Sequence, residues 1–77
     1  MLELMNARFE IVDNDEVKLI KGVNANHEFV EIRLKDNWLD VTVYKTEFGS
    51  HRCIFRQEVT DDMSINDIMN YFNVTVR

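Results

Sequence analysis

The stretch Ile32-Arg33-Leu34-Lys35-Asp36-Asn37-Trp38-Leu39 decides the fold. Asp36-Asn37 is a two-residue turn, because Asp and Asn tolerate the left-handed backbone that a tight hairpin needs. Closing it sets Leu34 opposite Leu39, Ile32 opposite Val41 and Val30 opposite Val43. The other face then pairs Arg33 with Asp40, Glu31 with Thr42 and Phe29 with Tyr44. One face is aliphatic; the other carries an ion pair and an aromatic pair. A one-residue slip would mix the two, so the pattern specifies its own register.

Working outward, Glu47-Phe48-Gly49 suits a three-residue loop with Gly49 in the left-handed region. Its register puts Val43 opposite Cys53, Val41 opposite Phe55 and Leu39 opposite Gln57 inside. Outside, Tyr44 meets Arg52, Thr42 meets Ile54 and Asp40 meets Arg56. On the N-terminal side, a four-residue loop Val23-Asn24-Ala25-Asn26 pairs Leu19 with Val30 and Val17 with Ile32 inside. Outside it pairs Lys18 with Glu31, Glu16 with Arg33 and Ile20 with Phe29. A loop Asn14-Asp15-Glu16 sets Ile11 opposite Leu19 and keeps Phe9 inside.

After Val59 the period changes. Ser64-Ile65-Asn66-Asp67 has the form of a capping box with Asp in the Glu position. Ile65, Ile68, Met69 and Phe72 follow at helical spacing. Asp61, Asp62 and Asp67 complement the helix dipole, and Asn73 is a helix stop. Val74-Thr75-Val76 is too short to assign, although it suits a sheet edge. The expected fold is α+β: a five-stranded antiparallel β-meander, strongly twisted or partly closed toward a barrel. Strands fall near 7–13, 17–22, 28–35, 38–46 and 51–59. One short C-terminal helix, about 64–72, packs on the inner face.

The chain of 77 residues reads as a single small domain, 1–77. It is near the lower limit for one core to suffice alone. A single cysteine excludes an internal disulfide and suggests a reducing, cytoplasmic setting. No stretch is long and apolar enough to span a membrane, and residues 1–5 lack the basic start of a signal peptide. The formal charge of −5 disfavours generic nucleic-acid binding. The chain is rich in asparagine and isoleucine and has no proline. That composition suits an AT-rich bacterial or phage genome, where short acidic accessory and inhibitor proteins are common.

No motif announces an enzyme, a cofactor or a metal. His51 and Cys53 are the only nearby cysteine–histidine pair. Their backbones would lie roughly 6.6 Å apart along a strand, and no third group orients them. His27, His51, Cys53 and Glu28 lack the close ligand pairs of a zinc site. An apolar core cysteine and two loop-end histidines are the simpler reading.

The interaction candidates are Ile20, Phe29, Tyr44, Arg52 and Trp38. The first four form a cross-strand row on the outer face, with Arg52 placed to stack on Tyr44. Trp38 lies in the row Lys35–Trp38–Glu58, either as an interface anchor or as a ring under lysine and glutamate stems. The row Glu16–Arg33–Asp40–Arg56 reads as ordinary cross-strand pairing. A small regulatory module that binds a protein partner is therefore the expected function. Nucleic-acid binding through Phe29, Tyr44, Arg33, Arg52 and Arg56 is the alternative, and an enzyme subunit with little chemistry of its own ranks below both.

Self-association is a further expectation. Five strands at ~4.8 Å spacing make a sheet about 19–24 Å wide, whereas one helix covers only ~10–12 Å. The rest of the inner face requires a curled sheet, a folded-back Leu2–Met5 segment, or a second chain. A homodimer through the N-terminal segment or the uncovered sheet competes with barrel closure.

Overall fold

A computed structural model describes residues 2–14, 16–60 and 62–77. The elements are β1 (Leu2–Val12), β2 (Val17–Val23), β3 (Phe29–Lys35), β4 (Trp38–Tyr44), β5 (His51–Glu58), α1 (Ile65–Phe72) and β6 (Val74–Val76). The first five strands form an antiparallel meander. The sixth pairs parallel with Leu2–Leu4, so the sheet order is β5-β4-β3-β2-β1-β6. The α+β class stands, but the sheet has six mixed strands rather than five, and it curls into a half-barrel.

The central hairpin has the register its sequence specifies. Asp36 and Asn37 both take positive φ, 52° and 65°. Leu34 faces Leu39, Ile32 faces Val41, Val30 faces Val43, and Phe29 faces Tyr44. Val41 also faces Phe55, and Asp40 faces Arg56.

The flanking registers differ. β2 pairs with β3 as Ile20↔Ile32 and Lys21↔Glu31, not as Leu19↔Val30 and Lys18↔Glu31. This three-residue shift exchanges the faces of β2. Its cause is the loop, in which the Asn24 side-chain oxygen accepts from the backbone N–H of Asn26 and Glu28, both at 3.0 Å. Asn24 N also donates to Glu28 O at 2.9 Å, so the loop closes around residues 24–28. Ile20 becomes a fully buried core residue, while Val17 and Leu19 are buried on the convex side.

β5 carries one extra residue, Ile54, between Thr42↔Cys53 and Val41↔Phe55. Beyond this bulge Tyr44 meets His51 and Val43 meets Arg52, one residue off the expected pairing. Gly49 does not adopt positive φ. Its N–H donates to Thr46 O at 3.1 Å, and a Cβ there would lie 2.5 Å from Thr46 Oγ1. A side chain there would only have to turn the Thr46 hydroxyl aside, since the nearest backbone atom, Thr46 O, would be 3.5 Å away.

β1 pairs as Val12↔Val17, Ile11↔Lys18 and Phe9↔Ile20, replacing Ile11 opposite Leu19. Of the expected loop Asn14–Glu16, Asp15 lies outside the described residues, as does Asp61 before the helix. A second bulge falls between Met5 and Arg8, with Asn6 at φ 54°. It changes parity along the strand: Leu2 and Leu4 before it, and Ala7, Phe9 and Ile11 after it, take the concave side. Leu4 is fully buried in the core, with Leu2 and Ala7 packed against it.

The helix begins at its expected cap. Ser64 Oγ accepts from Asp67 N at 3.1 Å, and Asp67 Oδ2 accepts from Ser64 N at 2.9 Å. Asn73 closes it in the left-handed region. Ile68 enters the core beside Ile20, Ile32, Leu39 and Val41, with Ile65, Met69 and Phe72 around it. Each such fully buried side chain contributes roughly 1.5–3 kcal/mol. Lys18, turned inward by the β2 register, donates to Met63 O at 2.7 Å and to Asp62 Oδ1 at 2.9 Å, tying the sheet to the approach of the helix.

Candidate functional site on the convex sheet face

Cross-strand neighbours on the convex face fall into rows. The row nearest the β2–β3 loop is Val23–Phe29–Tyr44–His51. Phe29 and Tyr44 stack with centroids 5.3 Å apart and planes at 26°. Tyr44 and His51 stack at 4.2 Å and 2°. The imidazole Nε2 is 3.1 Å from the Glu47 carbonyl oxygen, which anchors the outer end of the ladder. The rings therefore stand on the sheet with their faces turned to one another and their edges outward; Phe29 is 44% exposed.

Against this ladder lies a cavity of about 240 Å³, lined chiefly by Asn6, Arg8, Lys21, Val23, Phe29 and Tyr44. Its floor includes Gly22 and Val30. One wall is aromatic and the other cationic. Lys21 Nζ lies 3.7 Å from Glu10 Oε2, and Arg8 is exposed. Sequence reasoning missed Arg8, Lys21 and Asn6, because they reach the ladder only through the β2 register and the β1 bulge. The row Arg8–Lys21–Glu31 across β1, β2 and β3 exists only in that register, so hydropathy and charge gave no signal for it.

Phe29 and Tyr44 come together as expected. Ile20 does not join them, because the β2 shift places it in the core. Arg52 leaves the row at the Ile54 bulge, and its Nη2 donates to Glu28 Oε2 at 2.8 Å. Glu28 is itself buried, with its other oxygen 3.3 Å from Asn24 Nδ2. Trp38 sits in the expected row between Lys35 and Glu58, but the group over its ring is Arg56, 4.7 Å from the centroid. In the neighbouring charge row Leu19 takes the place of Glu16, while Arg33 and Asp40 lie 3.5 Å apart.

His51 and Cys53 are on the convex face, not in the core. The Cys53 thiol is exposed and donates to Phe55 O at 3.3 Å. His51 is engaged with Tyr44, and His27 is in the β2–β3 loop at φ 60°. Among the described residues no three His, Cys, Asp or Glu side chains converge as metal ligands. Among the described residues no helix is long and apolar enough to cross a membrane. The chain matches no protein-family model, and neither a curated protein nor a solved structure is significantly similar to it.

Proposed function

We propose that this chain is a small protein-binding module of the accessory or inhibitor kind, and that it engages its partner through the convex aromatic ladder and the adjoining cavity. The observation that carries the reading is the junction of Phe29 and Tyr44 with Arg8 and Lys21 around one concavity. An exposed partner segment with an apolar side chain beside a carboxylate matches it: the apolar group against the ring edges, the carboxylate toward the cations. Trp38 stands farther along the same face as a second contact.

Nucleic-acid binding is the rival. Bases stack on free aromatic faces, whereas Phe29, Tyr44 and His51 stack on each other. The arginines that would grip phosphate are engaged: Arg33 with Asp40, Arg52 with Glu28, and Arg56 over Trp38. The test has two arms. Affinity capture from the native host should retain a protein that is lost with Phe29→Ala/Tyr44→Ala. Labelled single-stranded RNA and DNA should bind weakly at low salt and not at physiological salt. Tight nucleic-acid binding that persists at physiological salt and needs Tyr44 would replace the proposal with its rival.

A further inference from the structure

Curling, the folded-back Leu2–Leu4 segment and the helix cover most of the concave face, but not all of it. Phe9 and Ile11 point to that side and are 49% and 52% exposed. They lie on β1 beyond the Asn6 bulge, where β6 no longer follows: its pairing stops at Leu4↔Val76, with Arg77 N donating to Leu4 O. Among the described residues nothing pairs with the outer edge of residues 7–12. An apolar pair beside an unpaired strand edge is a template for another strand.

We propose that this edge pairs with β1 of a second copy of the chain, antiparallel, about a two-fold axis passing at Phe9. A two-fold normal to a sheet requires residues of the same face to meet, so the axis must pass at a residue. Centred on Arg8, it sets Arg8 against its own copy. Centred on Glu10, it sets Glu10 against its own copy. Centred on Phe9, it sets Phe9 opposite Phe9, Ala7 opposite Ile11, and Arg8 opposite Glu10 twice. Only this register joins opposite charges on the convex side while closing the apolar pairs on the concave side. The β5 edge offers no equivalent. Its Ile54 bulge puts Arg52 on the concave side with Val43 and Arg56 on the convex side with Asp40, so no single two-fold register matches faces along the whole strand. The association shares Arg8 with the cavity of the convex-face reading, but its test is the oligomeric state of the protein alone, so its failure is distinct from the failure of that reading.

Charge reversal tests the register on the full chain, since Arg8 and Glu10 are at the surface. Sedimentation equilibrium should show a monomer–dimer equilibrium for the native protein. Arg8→Glu and Glu10→Arg should each weaken it by about tenfold or more, because two complementary pairs become like-charged. An equimolar mixture of the two variants restores both pairs and should form heterodimer at near-native affinity. Circular dichroism of each variant would establish that the fold is retained. A native protein that stays monomeric at high micromolar concentration overturns the proposal. So does a dimer that both single variants leave unchanged, or a mixture that associates no better than its components.

Discussion

Leu4 occupies the space that a side chain at Gly22 would need. A Cβ built on Gly22 would lie 2.9 Å from Leu4 Cβ and 3.2 Å from the Met5 carbonyl oxygen. This close approach lets the start of β1 fold over the concave face and bury Leu4. Gly22→Ala gains some stability through the unfolded chain, about 0.4–1 kcal/mol. The overpacking against backbone as well as side chain costs more, roughly 1–3 kcal/mol. The net expectation is destabilisation, read as a lower midpoint in chemical denaturation. Leu4→Ala keeps the Cβ at position 4 and should not rescue Gly22→Ala, whereas Leu4→Gly removes it and should show positive coupling. Additive losses with Leu4→Gly would place Leu4 elsewhere.

Asn6 is the parity switch of β1. With φ at 54° it inserts one residue and brings Leu2 and Leu4 to the same side as Ala7, Phe9 and Ile11. Asn6→Gly should be nearly neutral, whereas Asn6→Val should cost about 1–2 kcal/mol for the left-handed backbone of a β-branched residue. Deleting Asn6 should be far worse, because Leu4 would then turn to solvent. Thermal melts of the three variants in that order check the argument; equal effects would mean that the bulge is incidental.

The legibility of the fold follows the turns. Asp36-Asn37 leaves one register for β3–β4, and the alternating faces of Ile32–Leu34 and Leu39–Val43 agree with it, so this hairpin was readable. β2 was not, because Val17-Lys18-Leu19-Ile20 is apolar at both parities and β2 is buried on both faces. Its register is chosen by hydrogen bonds from the backbone N–H of Asn26 and Glu28 to Asn24, which hydropathy does not display. The Ile54 bulge has no glycine to announce it. The Asn6 bulge did leave a trace, since the apolar positions change from even to odd across it. The candidate surface shared these fates. Phe29 and Tyr44 belong to the readable hairpin and met as expected. Ile20 and Arg52 depended on the two uncertain registers and went elsewhere.

Arg52 took up a structural task instead, as the partner of Glu28. The Glu28 side chain is 12% exposed and that of Arg52 64%, so the pair is screened on one side only. Arg52→Ala leaves a largely buried carboxylate with the long Asn24 contact, and should cost about 1 kcal/mol after allowance for solvent. Glu28→Gln keeps a hydrogen-bond acceptor and should cost less. A double-mutant cycle between Arg52→Ala and Glu28→Ala should give coupling near that magnitude. Zero coupling would show that the pair is ornamental and return Arg52 to the surface. Partner-binding tests are therefore cleaner with Phe29 and Tyr44 than with Arg52.

The capping box makes helix stability depend on acid. Asp67 is held below the ordinary carboxylate value, chiefly by the backbone N–H of Ser64, next by its hydroxyl, with a small contribution from Lys18 against slight desolvation. A carboxylate whose folded value is depressed adds stability above its unfolded value, about 3.9. That contribution is lost as pH falls through the folded value. The difference in stability between the native protein and Asp67→Asn should therefore be flat above about pH 5 and shrink as pH falls below about 4. Comparing the two proteins at each pH removes the carboxylates they share. Urea titrations across this range measure the difference directly. A difference independent of pH would mean that the ionised form of Asp67 contributes nothing to the cap, and that the Ser64 hydroxyl acts alone.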